Sequence, residues 1–188
     1  MKHLKRKLEG IIDFDIKDEE NQWDENKIAT FEKKFDLALP DDYAFYLQHY
    51  GNDYIRENYR FVPPIDLPEV INQNEFEIDS IFGLYNDENN IENKISFYAD
   101  ILPNELFPIA DLPGGDLICM AKRKPTKNNV YIWFHEMSGK NTFLVSDSFQ
   151  SFINSFAKTK IEENNLNDVK LNFGSKLDKF LSDASEKG

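Results

Sequence analysis

Cysteine is almost missing from this 188-residue chain, and the single Cys119 excludes an internal disulfide framework and any site built on paired thiolates. Long apolar runs are missing as well. No stretch approaches the roughly 20 residues that a membrane-spanning helix needs. Met1 to Lys7 is basic but carries no apolar segment of the kind a secretory leader needs, so a cytoplasmic location is expected. Histidine is scarce: His3, His49 and His135 are all there are. No His-Glu-x-x-His, phosphate-cradling glycine loop or Gly-x-Ser-x-Gly occurs, which leaves the common hydrolase and nucleotide chemistries without their constellations. Positive charge is in deficit too. Twenty-two Lys and Arg face 34 Asp and Glu, a net charge of -12. A nucleic-acid binder needs a basic footprint. The one basic run, Lys122-Arg123-Lys124 with Lys127, reads as a solvated hairpin turn.

What is present is core-forming material. Hydrophobic residues make up 40% of the chain, with 16 Phe, 8 Tyr and 2 Trp. A chain of this length suits one domain, 1–188, that can bury a core unaided. The acidity has two readings: solubility alone, or attraction to a basic partner with a fast, salt-sensitive encounter.

Hydrophobic spacing orders the elements. Leu4, Leu8, Ile11 and Ile12 predict a short N-terminal helix. Asp13 to Glu20 reads as an exposed acidic loop. Trp23 to Phe35 reads as a helix, with Ile28, Phe31 and Phe35 on one face, Asp24 as N-cap and Trp23 as a staple. A second helix starts with Pro40 at its first position and Asp41 and Asp42 in its first turn. Its inner stripe is Tyr43, Tyr46, Leu47 and Tyr50, and Gly51 reads as its C′ stop. Strands are expected at Phe61–Val62, Phe76 to Leu84, Leu106 to Ala110, Leu117 to Ala121, Val130 to His135 and Thr142 to Val145. Asn86 to Asn93 reads as a turn or mobile loop. Phe149, Phe152, Ile153 and Phe156 predict a third helix after the caps Ser146-Asp147-Ser148. Residues 161–188 read as a C-terminal helical extension. Helices first, strands next and helices last argue an α+β fold, with N- and C-terminal helices packed on an antiparallel sheet.

Three segments, in order, resemble the SUKH superfamily, which includes fungal cell-wall-synthesis regulators and many bacterial immunity proteins. The first is Ile28-Ala29-Thr30-Phe31-Glu32 followed by Leu39-Pro40-Asp41-Asp42-Tyr43 and Tyr46-Leu47. The second is Phe107-Pro108-Ile109-Ala110-Asp111 with Gly114-Gly115-Asp116-Leu117-Ile118-Cys119. The third is Val130-Tyr131 to His135-Glu136, then Ser148-Phe149-Gln150-Ser151-Phe152-Ile153. The likeness covers residues 24–158. It departs from the family where Tyr50-Gly51-Asn52 replaces an Asn-Gly-Gly, at the loop 86–93 and at 161–188. It implies a helix-flanked antiparallel sheet, no catalysis and no cofactor. For bacterial members it implies binding and blocking a polymorphic toxin, often a nuclease. For fungal members it implies a regulatory scaffold. An acidic surface suits the first, because it can occupy a basic substrate cleft in place of phosphates. The expected partner is thus a basic protein toxin domain, with no nucleic acid and no membrane.

Individual residues carry competing readings. His135, Glu136 and Asp116 can form a small nitrogen–oxygen metal site, or anchor a strand end and turn. Gly114 and Gly115 can cradle a ligand, or supply the positive φ of a tight hairpin. Glu32 lies near a buried face, where a structural hydrogen bond competes with a catalytic role. Leu39, Pro40, Tyr43 and Phe149 belong with it to the structural set. Tyr54, Arg56, Tyr59 and Arg60, read as a loop, are the expected partner contacts together with Asp87 and Glu88, since Tyr and Arg are enriched at binding hot spots.

Overall fold

A computed structural model describes residues 1–13, 25–51, 53–123 and 126–159. Among them, three helices come first: α1 (Lys2–Ile11), α2 (Glu25–Phe35) and α3 (Asp41–His49). Then follow β1 (Asp53–Tyr54), β2 (Tyr59–Phe61), β3 (Ser80–Ile81), α4 (Ile91–Phe97), β4 (Leu106–Asp111), β5 (Leu117–Ala121), β6 (Val130–Trp133) and β7 (Thr142–Ser146). The last two are α5 (Phe149–Asn154) and β8 (Phe156–Lys158). Six strands form an antiparallel sheet in the order β1-β3-β4-β5-β6-β7, and β2 pairs with β8 in a separate ribbon. The fold is α+β, as the element order implies.

The centre of the sheet is β4 and β5, whose residues are buried on both faces apart from Asp111. Such strands read as unbroken apolar runs. Pro108 sits in β4 at a register shift between Pro108 and Ala110, a bulge position where a missing N–H is tolerated. Gly114 and Gly115 turn the β4–β5 hairpin at φ 91° and 96°, the left-handed region that favours glycine. Over the sheet, Tyr43 of α3 lies against Phe107 and Phe149, with ring centroids 6.2 and 4.9 Å away. Phe149 and Phe152 carry α5 into the same aromatic cluster, and α5 packs on α1 and α3. Ser148 caps α5 by accepting from the Ser151 N–H at 3.1 Å. Burying each such ring contributes roughly 1.5–3 kcal/mol.

Several expectations are corrected. Phe76 to Leu84 is not one strand; only Ser80–Ile81 is, flanked by irregular chain that bridges Phe61 to Phe76 and Gly83 to Asn90. Asn86 to Asn93 is not a mobile loop throughout. Its second half starts α4, capped by Asn90, whose side chain accepts from the Asn93 N–H at 3.1 Å. Phe156 ends outside α5, in β8. Pro40 is the N-cap of α3 rather than its first helical residue. Gly51 does not end α3 with a positive φ, because Tyr50 caps the helix in extended conformation and Gly51 is not among the positive-φ glycines. Instead, a Cβ there would collide with the half-buried Tyr85 ring, so any side chain at 51 must move that ring. Trp23, Asp24, most of 13–20 and the expected extension 161–188 lie outside the described residues.

Candidate functional site

Glu32, Tyr43 and Asp116 of the expected structural set each bond to the backbone of another element. Glu32 Oε1 accepts from the Leu39 N–H at 2.6 Å, tying α2 to the start of α3. Tyr43 donates to the Phe82 carbonyl at 3.2 Å. Tyr46 donates to the Gly51 carbonyl at 2.6 Å and lies 2.9 Å from that of Ile81. Burial pushes both phenols well above their ordinary pKa, so they stay neutral donors. Asp116 accepts from the His135 N–H at 3.0 Å, and its Oδ1 lies 2.8 Å from His135 Nδ1. Glu136 stands on the opposite ring nitrogen at 3.6 Å and is largely exposed. Asp116 thereby ties residue 135, just past β6, to the β4–β5 turn, and among the described residues no three His, Cys, Asp or Glu side chains converge for a metal ion. Cys119 is buried in β5, and desolvation raises its thiol pKa far above the ordinary value.

The expected contact residues come together elsewhere. Asp13 N–H donates to the Tyr54 carbonyl at 2.9 Å, and Arg56 N–H to the Ile11 carbonyl at 2.9 Å, so α1 fixes the chain around β1. Tyr54 pairs with Ser80 across β1 and β3. A turn closed by Tyr59 N–H to the Arg56 carbonyl at 2.9 Å then leads into β2. Tyr54, Tyr59 and Arg60 are thus strand residues rather than loop residues; Arg56 lies between the strands. With residues 77–80, Glu88, Asn89, Lys94 and Asp111 they line an open groove of about 880 Å³.

Tyr54 is 46% exposed on its wall, and its hydroxyl donates to Glu88 at 3.2 Å. Partial burial and that carboxylate raise the Tyr54 pKa. The arginines are held locally. Arg60 bridges to Glu77 at 3.0 Å and donates to the Glu57 and Tyr59 carbonyls at 2.7 and 2.8 Å. Arg56 reaches the Gly10 carbonyl at 3.3 Å. Asp111 accepts from the Ser80 N–H and hydroxyl at 3.0 and 2.9 Å. Asp79 has a raised pKa, from desolvation first and then from the charges of Asp111 and Glu77. The lining holds six carboxylates (Asp13, Glu57, Glu77, Asp79, Glu88, Asp111) against Arg56, Arg60 and Lys94. Asp87 does not line the groove; it accepts from the Asn89 N–H at 2.7 Å beside it.

Sequence reasoning missed Glu77, Asp79 and Asp111 as groove residues. A signal for the first two exists: from Phe61 to Asn93 the chain has carboxylates at 66, 69, 75, 77, 79, 87, 88 and 92 and no Lys, Arg or His. Nothing in the sequence, by contrast, places Asp111 of β4 beside Ser80 of β3.

Comparison with known proteins places this arrangement in context. The model of the SMI1 / KNR4 family (SUKH-1) matches residues 23–155. The chain is also similar to the SPbeta prophage-derived uncharacterized protein YokK of Bacillus subtilis (strain 168). The two are 29% identical over 149 residues, which cover 72% of this chain and 76% of that protein.

Proposed function

Given that the chain belongs to the SMI1 / KNR4 family (SUKH-1), we propose that it is a non-enzymatic immunity protein that binds and neutralises a basic protein toxin, a nuclease being the favoured class. The observation that carries this reading is the groove between β1, β2 and β3. It sets an accessible tyrosine among six carboxylates that outnumber three cationic side chains, of which Arg60 is already paired with Glu77. Such a surface attracts a cationic cleft and gives it an aromatic anchor. A toxin whose catalytic cleft is basic because it binds phosphates would be covered by this face and lose access to substrate. Inhibition is then stoichiometric and needs no chemistry from this chain. The prophage origin in the name of the Bacillus subtilis relative suits a gene carried for conflict between cells. No helix among the described residues is long and apolar enough to cross a membrane, and the reading places the protein in the cytoplasm, where a toxin would act.

The test is co-purification with the product of the neighbouring gene, followed by titration calorimetry. The expected result is a one-to-one complex that weakens as salt rises. Tyr54→Ala should cost about 2 kcal/mol of binding if it is an anchor, and Glu77→Lys with Glu88→Lys should slow association more than they speed dissociation. A panel of basic toxin domains that all fail to bind, together with a locus holding no toxin gene, would overturn the proposal and favour a regulatory scaffold.

A further inference from the structure

Beyond Phe61, whose buried ring faces that of Phe76, the chain runs through residues 62–75 without helix or strand before returning to the bridge. Loops of this length within a compact domain are uncommon and usually functional when ordered. This one is tied down. Val62 N–H donates to the Ser155 carbonyl at 3.2 Å, Ile71 N–H to that of Pro68 at 2.8 Å, and Gln73 Nε2 to that of Glu75 at 2.7 Å. Leu67 and Ile71 pack against the core, and the prolines at 63, 64 and 68 restrict the backbone further.

Its composition is unlike that of a solvated connection. Val62, Ile65, Leu67 and Ile71 line a groove of about 780 Å³ whose only charged walls are Asp66 and Glu69. Val62 is 39% and the adjoining Val70 66% exposed. No lysine or arginine occurs between Arg60 and Lys94, and none is among the described residues that line this groove. The geometry points to a second docking surface, in which the 62–75 loop takes a basic segment of a partner protein that presents an aliphatic or aromatic side chain between its cations. The apolar walls select the side chain, and the acidic rim selects its flanks. A second copy of this chain is disfavoured in a two-fold arrangement, because the same carboxylates would then face each other. An anionic lipid surface is disfavoured for the same reason. The inference does not rest on the toxin reading; any partner with such a segment satisfies it.

The probe is a short capped peptide with one Phe flanked by arginines in a Gly/Ser background, titrated into the isotope-labelled full chain and followed by amide shifts. Expected are shifts within residues 62–74 that fade as salt rises and shrink when the peptide Phe becomes Gly. Affinity should fall by about tenfold for the Asp66→Lys, Glu69→Lys variant, a change of roughly 1.4 kcal/mol. Both positions are exposed, and thermal melting of the variant checks that it still folds. The inference is overturned by an absence of shifts in 62–74, by equal shifts from a peptide with Glu in place of Arg, or by shifts confined to residues 53–60 and 77–94. Concentration-dependent self-association that moves the same amides without peptide would assign the loop to a second copy and overturn it too. Failure here leaves toxin co-purification unaffected, so the two proposals fail separately.

Discussion

At the scale of single residues, the clearest constraints are steric and protonic. Gly51 faces the Tyr85 ring so closely that any Cβ must displace it. Gly51→Ala is expected to destabilise by about 1–3 kcal/mol, read by urea denaturation, and Gly51→Ala with Tyr85→Ala should recover most of the loss. A hinge role for this glycine predicts no such recovery. Glu32 is legible as structural from sequence, but its partner is not. Removing its acceptor with Glu32→Ala leaves the Leu39 N–H unpaired and should cost about 1.5–3 kcal/mol, whereas Glu32→Gln keeps an acceptor and should cost less. Asp79 shows the opposite sign. Its carboxyl is raised by desolvation and by Asp111 and Glu77, so the fold favours its protonated form. Its stabilising contribution is therefore complete below the unfolded carboxyl pKa and is lost as pH rises through the higher folded value. Asp79→Asn should then raise the melting temperature at neutral pH, with the gain vanishing in acid. No gain at neutral pH would mean that the groove carboxylates are too well solvated to repel one another. A basic partner reverses the effect, and complex formation should release protons at mildly acidic pH.

At the scale of elements, periodicity predicted α1, α2 and α3 because each has an apolar stripe at helical spacing and a polar remainder. It missed α4. Only Ile91 and Ile95 are buried there, too few to set a period, and the preceding Asn and Asp residues looked like loop chemistry. The decisive feature is local: Asn90 caps the helix and also donates to the Tyr85 carbonyl at 2.9 Å. Asn90→Ala should cost about 1 kcal/mol through the cap alone, and hydrogen exchange should rise first in residues 91–97. Equal protection in the variant would mean that packing of Ile91 and Ile95 holds α4 unaided. The strand β8 was hidden for another reason. Phe156 continues the i, i+3, i+7 stripe of α5, so its spacing says helix. The chain leaves the helix at Ser155 because pairing with β2 satisfies its backbone and buries Phe156 beside Phe61 and Phe152, with centroids 5.9 and 5.3 Å away. Tertiary pairing outweighs local periodicity here.

At the scale of the whole molecule, charge is distributed unevenly along the chain. Lys and Arg concentrate in α1, at the end of α2 and in the β5–β6 turn, where Arg123 pairs with Asp36. The stretch from Phe61 to Asn93 has none. Lys34 nevertheless bridges Glu92 and Arg60 bridges Glu77, so it is the net charge of -12 that leads us to expect basic partners to associate faster as ionic strength falls. Stopped-flow association with any captured basic partner, measured across a salt series, reads the effect directly. A rate that does not change with salt would show that the acidity serves solubility alone.

Composition and spacing by themselves determined the α+β class, the leading helices, the central β4–β5 hairpin with its glycine turn and the excess of carboxylates. These follow from side-chain periodicity and from backbone chemistry that acts within a few residues. Tertiary structure alone decided where the carboxylates meet. Asp111 joins Asp79 and Glu77 only because β3 lies between β1 and β4, and Tyr54 meets Glu88 only because the chain after β3 turns back on itself, with Gly83 bridging Asn90. The opening deficit of positive charge becomes a located feature in the same way: long-range strand pairing gathers distant acidic residues into one groove, and no local pattern records that pairing.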